Sequence, residues 1–115
     1  MAAVAQETHE TLIGVSAGDL DILENAVGLR EAHLGSTGLD ARTFALVKIA
    51  ALIALDAPPA SYAWQVTNAL AEGVTPEDLL GVLRAVAPQV GGPRVVAAAP
   101  ELMLAMGLSL PEEGE

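Results

Sequence analysis

Apolar residues recur every three or four positions along most of this chain, and glycine and proline divide the pattern into short segments. After a loosely amphipathic start at residues 1–13, this spacing predicts helices over residues 19–32, 41–55, 59–72, 76–88 and 94–106. The segment 41–55 is apolar on nearly every side, which is typical of a helix at the centre of a bundle. The glycine-containing stretches 14–18 and 33–38 are predicted to be breaks between helices.

Capping residues and prolines predict where several of these helices begin and end. Thr75 is expected to cap the helix that opens at Pro76, since a threonine oxygen accepts from the first turn and proline suits the first helical position. Pro88 is expected to end that helix, and Pro100 to kink the last helix or to restart it at Glu101. The other predicted N-caps are Asp40 and either Ser16 or Asp19.

Composition favours a helical fold over a β-fold. Apolar residues make up 52% of the 115 residues and aromatic residues only 3%, with alanine and leucine, the strongest helix formers, dominating. No linker is long enough to separate two domains, and a chain of this length forms one core. We therefore predict a single all-α domain over residues 1–115, a compact bundle of about six helices with an acidic tail at residues 111–115.

Charge and cysteine content exclude several classes of function. A net charge of −10 leaves no basic face for nucleic acid or for an anionic membrane surface, so neither is expected as a partner. The chain has no cysteine, and therefore no disulfide or thiolate chemistry. Residues 1–11 lack the basic start of a signal peptide, and the longest apolar run, residues 44–55, is shorter than the ~20 residues of a membrane span. The plain expectation is a cytoplasmic protein.

The high apolar content also predicts self-association. A domain of this size cannot cover all its apolar side chains, and contiguous exposed apolar surface usually marks an interface. The central helix and the last helix are the candidate interfaces, the latter through Val95, Val96, Ala97, Ala98, Leu102 and Leu104. The alternative is scattered surface alanine, which requires no partner.

Three stretches of the chain together match the pattern of a known family. Residues 39–43 read Leu-Asp-Ala-Arg-Thr, residues 69–80 read Ala-Leu-Ala-Glu-Gly-Val-Thr-Pro-Glu-Asp-Leu-Leu, and residues 90–93 read Val-Gly-Gly-Pro. In this order and spacing the chain resembles, over roughly residues 39–105, the carboxymuconolactone decarboxylase family, which includes the alkylhydroperoxidase D-like proteins. The resemblance implies an alkylhydroperoxidase D-like helical fold. It also implies an obligate homo-oligomer, a trimer or hexamer, with the active site between helices near a subunit boundary.

The residues that do the chemistry in that family are absent. The peroxidase branch carries Glu-x11-Cys-x2-Cys-x3-His, with the histidine eight residues before the glycine that ends the helix. Counting back from Gly73 places Gln65 at the histidine position, Ser61 and Pro58 at the cysteines, and Leu46 or, in the register anchored on Leu39, Ala45 at the glutamate. The decarboxylase branch usually keeps the histidine and a glutamate, which are missing too. A thiol peroxidase needs an attacking and a resolving thiol, so that activity is not expected.

The remaining polar and aromatic residues of the segment 59–72 suggest a ligand pocket. Ser61, Gln65, Asn68 and Glu72 share one helix face. Gln65 would hydrogen-bond a carbonyl or carboxylate where the family has its histidine, and the rings of Tyr62 and Trp64 would wall the ligand. Alternatively, the polar residues form an ordinary solvated face of the helix, and both aromatic residues are anchors of the core or of an interface.

Lys48 and His33 are the only candidate proton carriers near such a pocket. Lys48 interrupts an apolar helix, where burial would lower its pKa and suit it as a base or a Schiff-base amine. Alternatively, its stem threads past apolar neighbours to solvent. His33 would act as an acid or base only if its loop folds over the pocket. Two histidines 24 residues apart, without cysteine, predict no metal site, and with no phosphate-binding loop we predict no cofactor.

Two functions follow as expectations. The first is a divergent member of the family that binds or transforms a small organic acid, lactone or ring compound, with Gln65, Ser61, Tyr62 and Trp64 lining the site. The alternative is a non-catalytic oligomeric scaffold or partner-binding member. An enclosed pocket around Gln65 would favour the first, and a pocket filled by Trp64 and Tyr62 would favour the second.

Overall fold

The computed structural model describes residues 3–28 and 34–111, and every regular element in these ranges is an α-helix. The all-α class is therefore confirmed, with seven helices among the described residues where about six were expected. They are α1 (Gln6–Ser16), α2 (Leu20–Val27), α3 (Leu34–Thr37), α4 (Ala41–Leu55), α5 (Pro59–Ala71), α6 (Pro76–Val90) and α7 (Gly92–Ala105).

Helices α4 to α7 form the bundle, in which α4 packs against both α5 and α6 while α7 closes the other side against α5 and α6. The side chains of Ile49 and Ile53 from α4 and Val66 from α5 are completely buried between them. The rest of the buried core is Ala45, Tyr62, Ala69, Val74, Leu79, Ala98 and Leu102. Helix α4 contacts α5, α6 and α7, as expected of a helix at the centre of the bundle, but it is not buried on every side, since Val47 and Leu55 are 54% and 74% exposed.

Local capping chemistry fixes the starts of α4 and α6. The Asp40 carboxylate accepts a hydrogen bond from the Thr43 backbone N–H at 2.7 Å. At α6, the Thr75 hydroxyl oxygen accepts from the Asp78 N–H at 3.1 Å while the Asp78 carboxylate accepts from the Thr75 N–H at 2.9 Å, which is a capping box. Arg42 lies 2.7 Å from the same Asp78 carboxylate, so one ion pair joins the first turns of α4 and α6.

Helices α1 and α2 form a hairpin beside the bundle. Gly14 of α1 is buried against the Ile22 side chain of α2, and a Cβ at position 14 would overlap it. Asp19 accepts a hydrogen bond from the Ile22 N–H at 3.1 Å and is thus the N-cap of α2. The turn at Gly18 brings this hairpin against α5, where Ala60 lies 3.9 Å from an added Cβ.

Several predicted boundaries were wrong. Helix α1 runs through Gly14, because a close contact with Ile22 favours glycine there. Helix α2 ends at Val27, since Gly28 adopts a left-handed conformation with φ of 76°. A short helix, α3, occupies part of the stretch 33–38 that was predicted to be a break.

The two internal prolines do not end or divide their helices. Helix α6 continues through Pro88 to Val90, and α7 continues through Pro100 without a restart at Glu101. In α7, Pro100 has no N–H to donate to the carbonyl of Val96, a residue that is 73% exposed. Packing of Ala98 and Leu102 in the core keeps both sides of the proline in one helix. Those two residues are therefore core residues, whereas Val96 and Leu104 are exposed.

Within the described ranges, none of the helices is long and apolar enough to span a lipid bilayer.

Candidate functional site

A cleft of 270 Å³ opens between α4 and α5, and we call it the Lys48–Gln65 cleft. Its lining comprises Leu34 of α3, Ala41, Phe44, Ala45 and Lys48 of α4, and Gln65, Asn68, Ala71 and Glu72 at and beyond α5. One wall is thus mostly apolar with a single ammonium group, and the opposite wall carries two amides and a carboxylate. Such a combination of apolar surface and a few polar groups is typical of small-ligand sites.

Lys48 is half-buried on the α4 wall. Its Nζ lies 4.8 Å from the centroid of the Phe44 ring, which stabilises the charged ammonium through the face of the ring. Burial acts in the opposite direction and lowers the pKa of Lys48 below its usual 10.5. Burial thus disfavours the charged form of Lys48, while the Phe44 ring favours it.

The α5 wall follows from helical spacing. Gln65, Asn68 and Glu72 are separated by three and four residues, so they project to the same side. Ser61 lies one turn before Gln65 but lines a different cleft of 170 Å³ formed with Leu20 and Leu23 of α2. Gln65 lines both clefts and separates them, while Ser61 does not reach the Lys48–Gln65 cleft.

The two aromatic residues of α5 lie away from the Lys48–Gln65 cleft. Trp64 is partly buried and lines the smaller cleft together with a shallow depression shared with Ala17 and Thr67. Tyr62 is only 1% exposed and belongs to the core. The structure therefore brings Lys48 and Gln65 together but puts Trp64 beside α2 and Tyr62 inside the bundle.

The buried hydroxyl of Tyr62 is unusual. Among the described residues it is the one buried side-chain oxygen or nitrogen atom without a hydrogen-bond partner. Burial raises the pKa of Tyr62 above its usual 10.0, and the negative charges of Asp56 and Glu101 raise it further. Each of these causes favours the neutral phenol.

Other candidate residues are placed as follows. His33 lies outside the described residues. Within the part of the chain that the structure describes, no group of three or more histidine, aspartate or glutamate side chains is arranged to hold a metal ion. Leu34 lines the cleft although its segment was predicted to be a break, and no pattern in the sequence indicated that it would reach α4.

Comparison with known proteins gives one match. Residues 21–102 match the family model described as Carboxymuconolactone decarboxylase family. The matched range covers the cleft and most of the bundle and leaves α1 outside. No curated protein and no solved structure matches the chain.

Proposed function

This chain belongs to the carboxymuconolactone decarboxylase family, and on that premise we propose that it binds or transforms a small organic acid, lactone or ring compound in the Lys48–Gln65 cleft. The observation that carries the proposal is the placement of the Lys48 ammonium and the Gln65 amide in one cleft. The ammonium attracts a carboxylate, and the amide N–H groups donate to a carbonyl or carboxylate oxygen.

The size of the cleft limits the ligand. Its 270 Å³ lies just below the ~300–1,000 Å³ of most small-molecule pockets, so a single ring or a short acid fits better than a larger cofactor. Neither Trp64 nor Tyr62 fills this cleft, which supports ligand binding over the scaffold alternative. No feature of the described residues favours that alternative.

The proposal does not extend to thiol peroxidase chemistry. That reaction needs one thiolate to attack the peroxide and a second thiol to resolve the sulfenic acid, and the chain has no cysteine. Ser61, at one of the cysteine positions of the family pattern, has no comparable oxidation chemistry. We expect no hydroperoxide consumption with any added dithiol donor.

A thermal-melt screen tests the proposal, using small lactones, dicarboxylic acids and aromatic acids. A ligand at 100 times its Kd adds about 2.7 kcal/mol to the free energy of unfolding, which raises the melting temperature of a domain of this size by several degrees. We expect Gln65→Ala to lose this shift because its amide lines the cleft. The matched control is Gln89→Ala, an exposed glutamine on α6, which should retain the shift. A screen without any shift, or an equal shift in both variants, contradicts the proposal.

We also propose that the protein is a homo-oligomer, a trimer or hexamer, and that it acts in the cytoplasm. Many large apolar side chains are exposed among the described residues, including Leu55 at 74% and Val96 at 73%, which supports an interface. Light scattering of the purified protein tests the assembly, and cell fractionation tests the location. A monomer at all concentrations contradicts the first, and a protein found outside the cytoplasmic fraction contradicts the second.

A further inference from the structure

We propose that α1 of one copy of this chain docks in an apolar groove between α6 and α7 of a second copy, so that the α1–α2 hairpin is an arm that joins subunits. This inference rests on the proposed homo-oligomer and does not involve the Lys48–Gln65 cleft. It goes further in naming the two surfaces that meet. The family match begins at residue 21, so α1 lies outside the pattern on which the proposed function depends.

The α1–α2 hairpin has little contact with the bundle of its own chain. Helix α1 packs on α2 and, among the residues that the structure describes, makes no comparable contact with helices α4 to α7. The hairpin meets the bundle where Gly18 approaches Ala60, and where Leu20 and Leu23 line a cleft together with α5. The radius of gyration is 16.3 Å, against about 13 Å for a compact chain of this length. Helix α1 therefore projects from the bundle.

The projecting side of α1 is apolar. Val4, Leu12 and Ile13 are each more than half exposed and line one shallow concavity of the surface; we call these three residues the α1 patch. Leu12 lies two residues before Gly14, which is buried against Ile22, so Leu12 points to the side of α1 opposite α2. An isolated helix of 11 residues is marginal in water, and burial of the α1 patch would stabilise this one.

A groove of 210 Å³ between α6 and α7 offers a matching surface, and we call it the α6–α7 groove. Its lining comprises Pro76, Leu79, Leu80 and Leu83 of α6 and Ala99, Leu102, Met103 and Met106 of α7. All eight side chains are apolar, unlike those of the Lys48–Gln65 cleft, and the two flexible methionines can adjust to an incoming side chain. A groove of this kind suits the apolar face of an amphipathic helix.

The exposed area indicates that a second copy supplies this helix. The chain exposes 7730 Å², about 1,800 Å² more than a compact monomer of its mass. A standard interface buries roughly 800 Å² on each partner, so the surplus matches two such surfaces, one arm and one groove in every subunit. The hairpin of the same chain meets α5 instead of the α6–α7 groove. Two different surfaces that meet form a head-to-tail contact, which can close into a ring such as the proposed trimer.

Cross-linking tests this contact directly. The chain has no cysteine, so a pair of introduced cysteines reports on one contact alone. The test variant is Ile13→Cys with Leu80→Cys, at two exposed positions, one in the α1 patch and one in the α6–α7 groove. After treatment with a short bis-maleimide we expect covalent species of two or more chains on a denaturing gel. Peptide mapping should place the link between residues 13 and 80 of different chains.

Two control variants show whether the link is specific. Ile13→Cys with Gln89→Cys moves the second thiol to an exposed position of α6 outside the α6–α7 groove, and should give several-fold less linked product. Ile13→Cys alone reports on contacts between two arms. Equal yields from the test variant and either control overturn the proposal. A link between residues 13 and 80 within one chain also overturns it, because the arm would then pack on its own bundle.

A charge in the α1 patch gives a second readout. We expect Leu12→Glu to shift the protein toward monomer in light scattering, because a carboxylate cannot be buried unpaired in an apolar groove. The matched control, Asn25→Glu, adds the same charge at an exposed polar position of α2 and should leave the assembly intact. Equal behaviour of the two variants contradicts the proposal. Circular dichroism of each variant confirms that the helices are retained.

Failure of this inference is distinguishable from failure of the proposals on which it builds. An oligomer in light scattering without links between residues 13 and 80 overturns the arm contact and leaves the homo-oligomer in place. A monomer at all concentrations overturns both. The melt shift that depends on Gln65 tests ligand binding separately, since Gln65 lines neither the α1 patch nor the α6–α7 groove.

Discussion

At the scale of single residues, the buried Tyr62 hydroxyl gives a direct prediction. A buried hydroxyl without a partner costs about 1–3 kcal/mol, and Tyr62 is 1% exposed with its hydroxyl unpaired. We expect Tyr62→Phe to raise the free energy of unfolding by about 1 kcal/mol in a urea titration, because the ring stays and the penalty disappears. A loss of stability instead would mean that the hydroxyl has a hydrogen-bond partner in solution.

The same residue predicts a dependence on pH. Because burial, and then Asp56 and Glu101, raise the pKa of Tyr62 in the folded state, the folded protein holds this proton more tightly than the unfolded chain. The contribution is fully present below the ordinary pKa of 10.0 and is lost as pH rises through the folded value. Wild type should therefore lose more stability than Tyr62→Phe above pH 10. Parallel curves for the two proteins would contradict the assignment.

The candidate site shows what helical spacing predicts about residues and what it does not. Spacing of three and four grouped Ser61, Gln65, Asn68 and Glu72 on one face, and the last three line the Lys48–Gln65 cleft while Ser61 lines the cleft beside α2. Spacing alone could not show whether Tyr62 or Trp64 contacts a ligand. Successive residues of a helix point about 100° apart, and the elements that pack against the helix determine which of its sides line a cleft and which belong to the core. Trp64 lines the cleft formed with Leu20 and Leu23 of α2, a packing partner that the spacing within α5 does not indicate.

At the scale of helices, Gly14 determines how α1 packs on α2. A methyl group at position 14 would overlap the Ile22 side chain, so Gly14→Ala should destabilise the hairpin by about 1–3 kcal/mol in spite of the better helix propensity of alanine. Adding Ile22→Ala removes the side chain that the methyl group meets. In thermal melts, the double variant should therefore lose less stability than the sum of the two single variants. Additive losses would show that the contact is not the cause.

Pro100 offers a second test at this scale. It lies inside α7 without ending it, and a proline within a helix costs up to about 3 kcal/mol relative to alanine. Pro100→Ala should increase the free energy of unfolding by about 1–3 kcal/mol, as measured by urea unfolding, because it restores a backbone N–H and relieves the ring contact with the preceding turn. No gain would indicate that the helix is distorted at this proline in solution.

Helix boundaries could be predicted from the sequence where local chemistry decides them. Asp40 and Thr75 cap α4 and α6 as expected, because the capping bonds lie within one turn. The end of α6 and the continuity of α7 through Pro100 were missed because Val90 and Leu102 gain stability from packing against distant helices, and this outweighs the cost of a proline nearby. The fold class was therefore predictable, while the lengths of these two helices were not.

At the scale of the whole molecule, the exposed surface exceeds that of a typical monomer. The chain exposes 7730 Å², against about 5,900 Å² for a compact monomeric protein of this mass. The difference is larger than the roughly 800 Å² that each partner buries in a standard stable interface. Part of this surface is apolar, with Val96 at 73% and Leu104 at 53% exposed on α7.

If α7 is buried between copies, a charge placed on it will separate them. We expect Val96→Glu to shift the protein toward monomer in light scattering and to make its melting temperature less dependent on concentration, since a carboxylate cannot be buried there unpaired and the chain already carries a charge of −10. Gln89→Glu, an exposed and already polar position on α6, adds the same charge and should leave the assembly intact. Dissociation by both variants would point to general charge repulsion, and dissociation by neither would place the interface elsewhere than on α7.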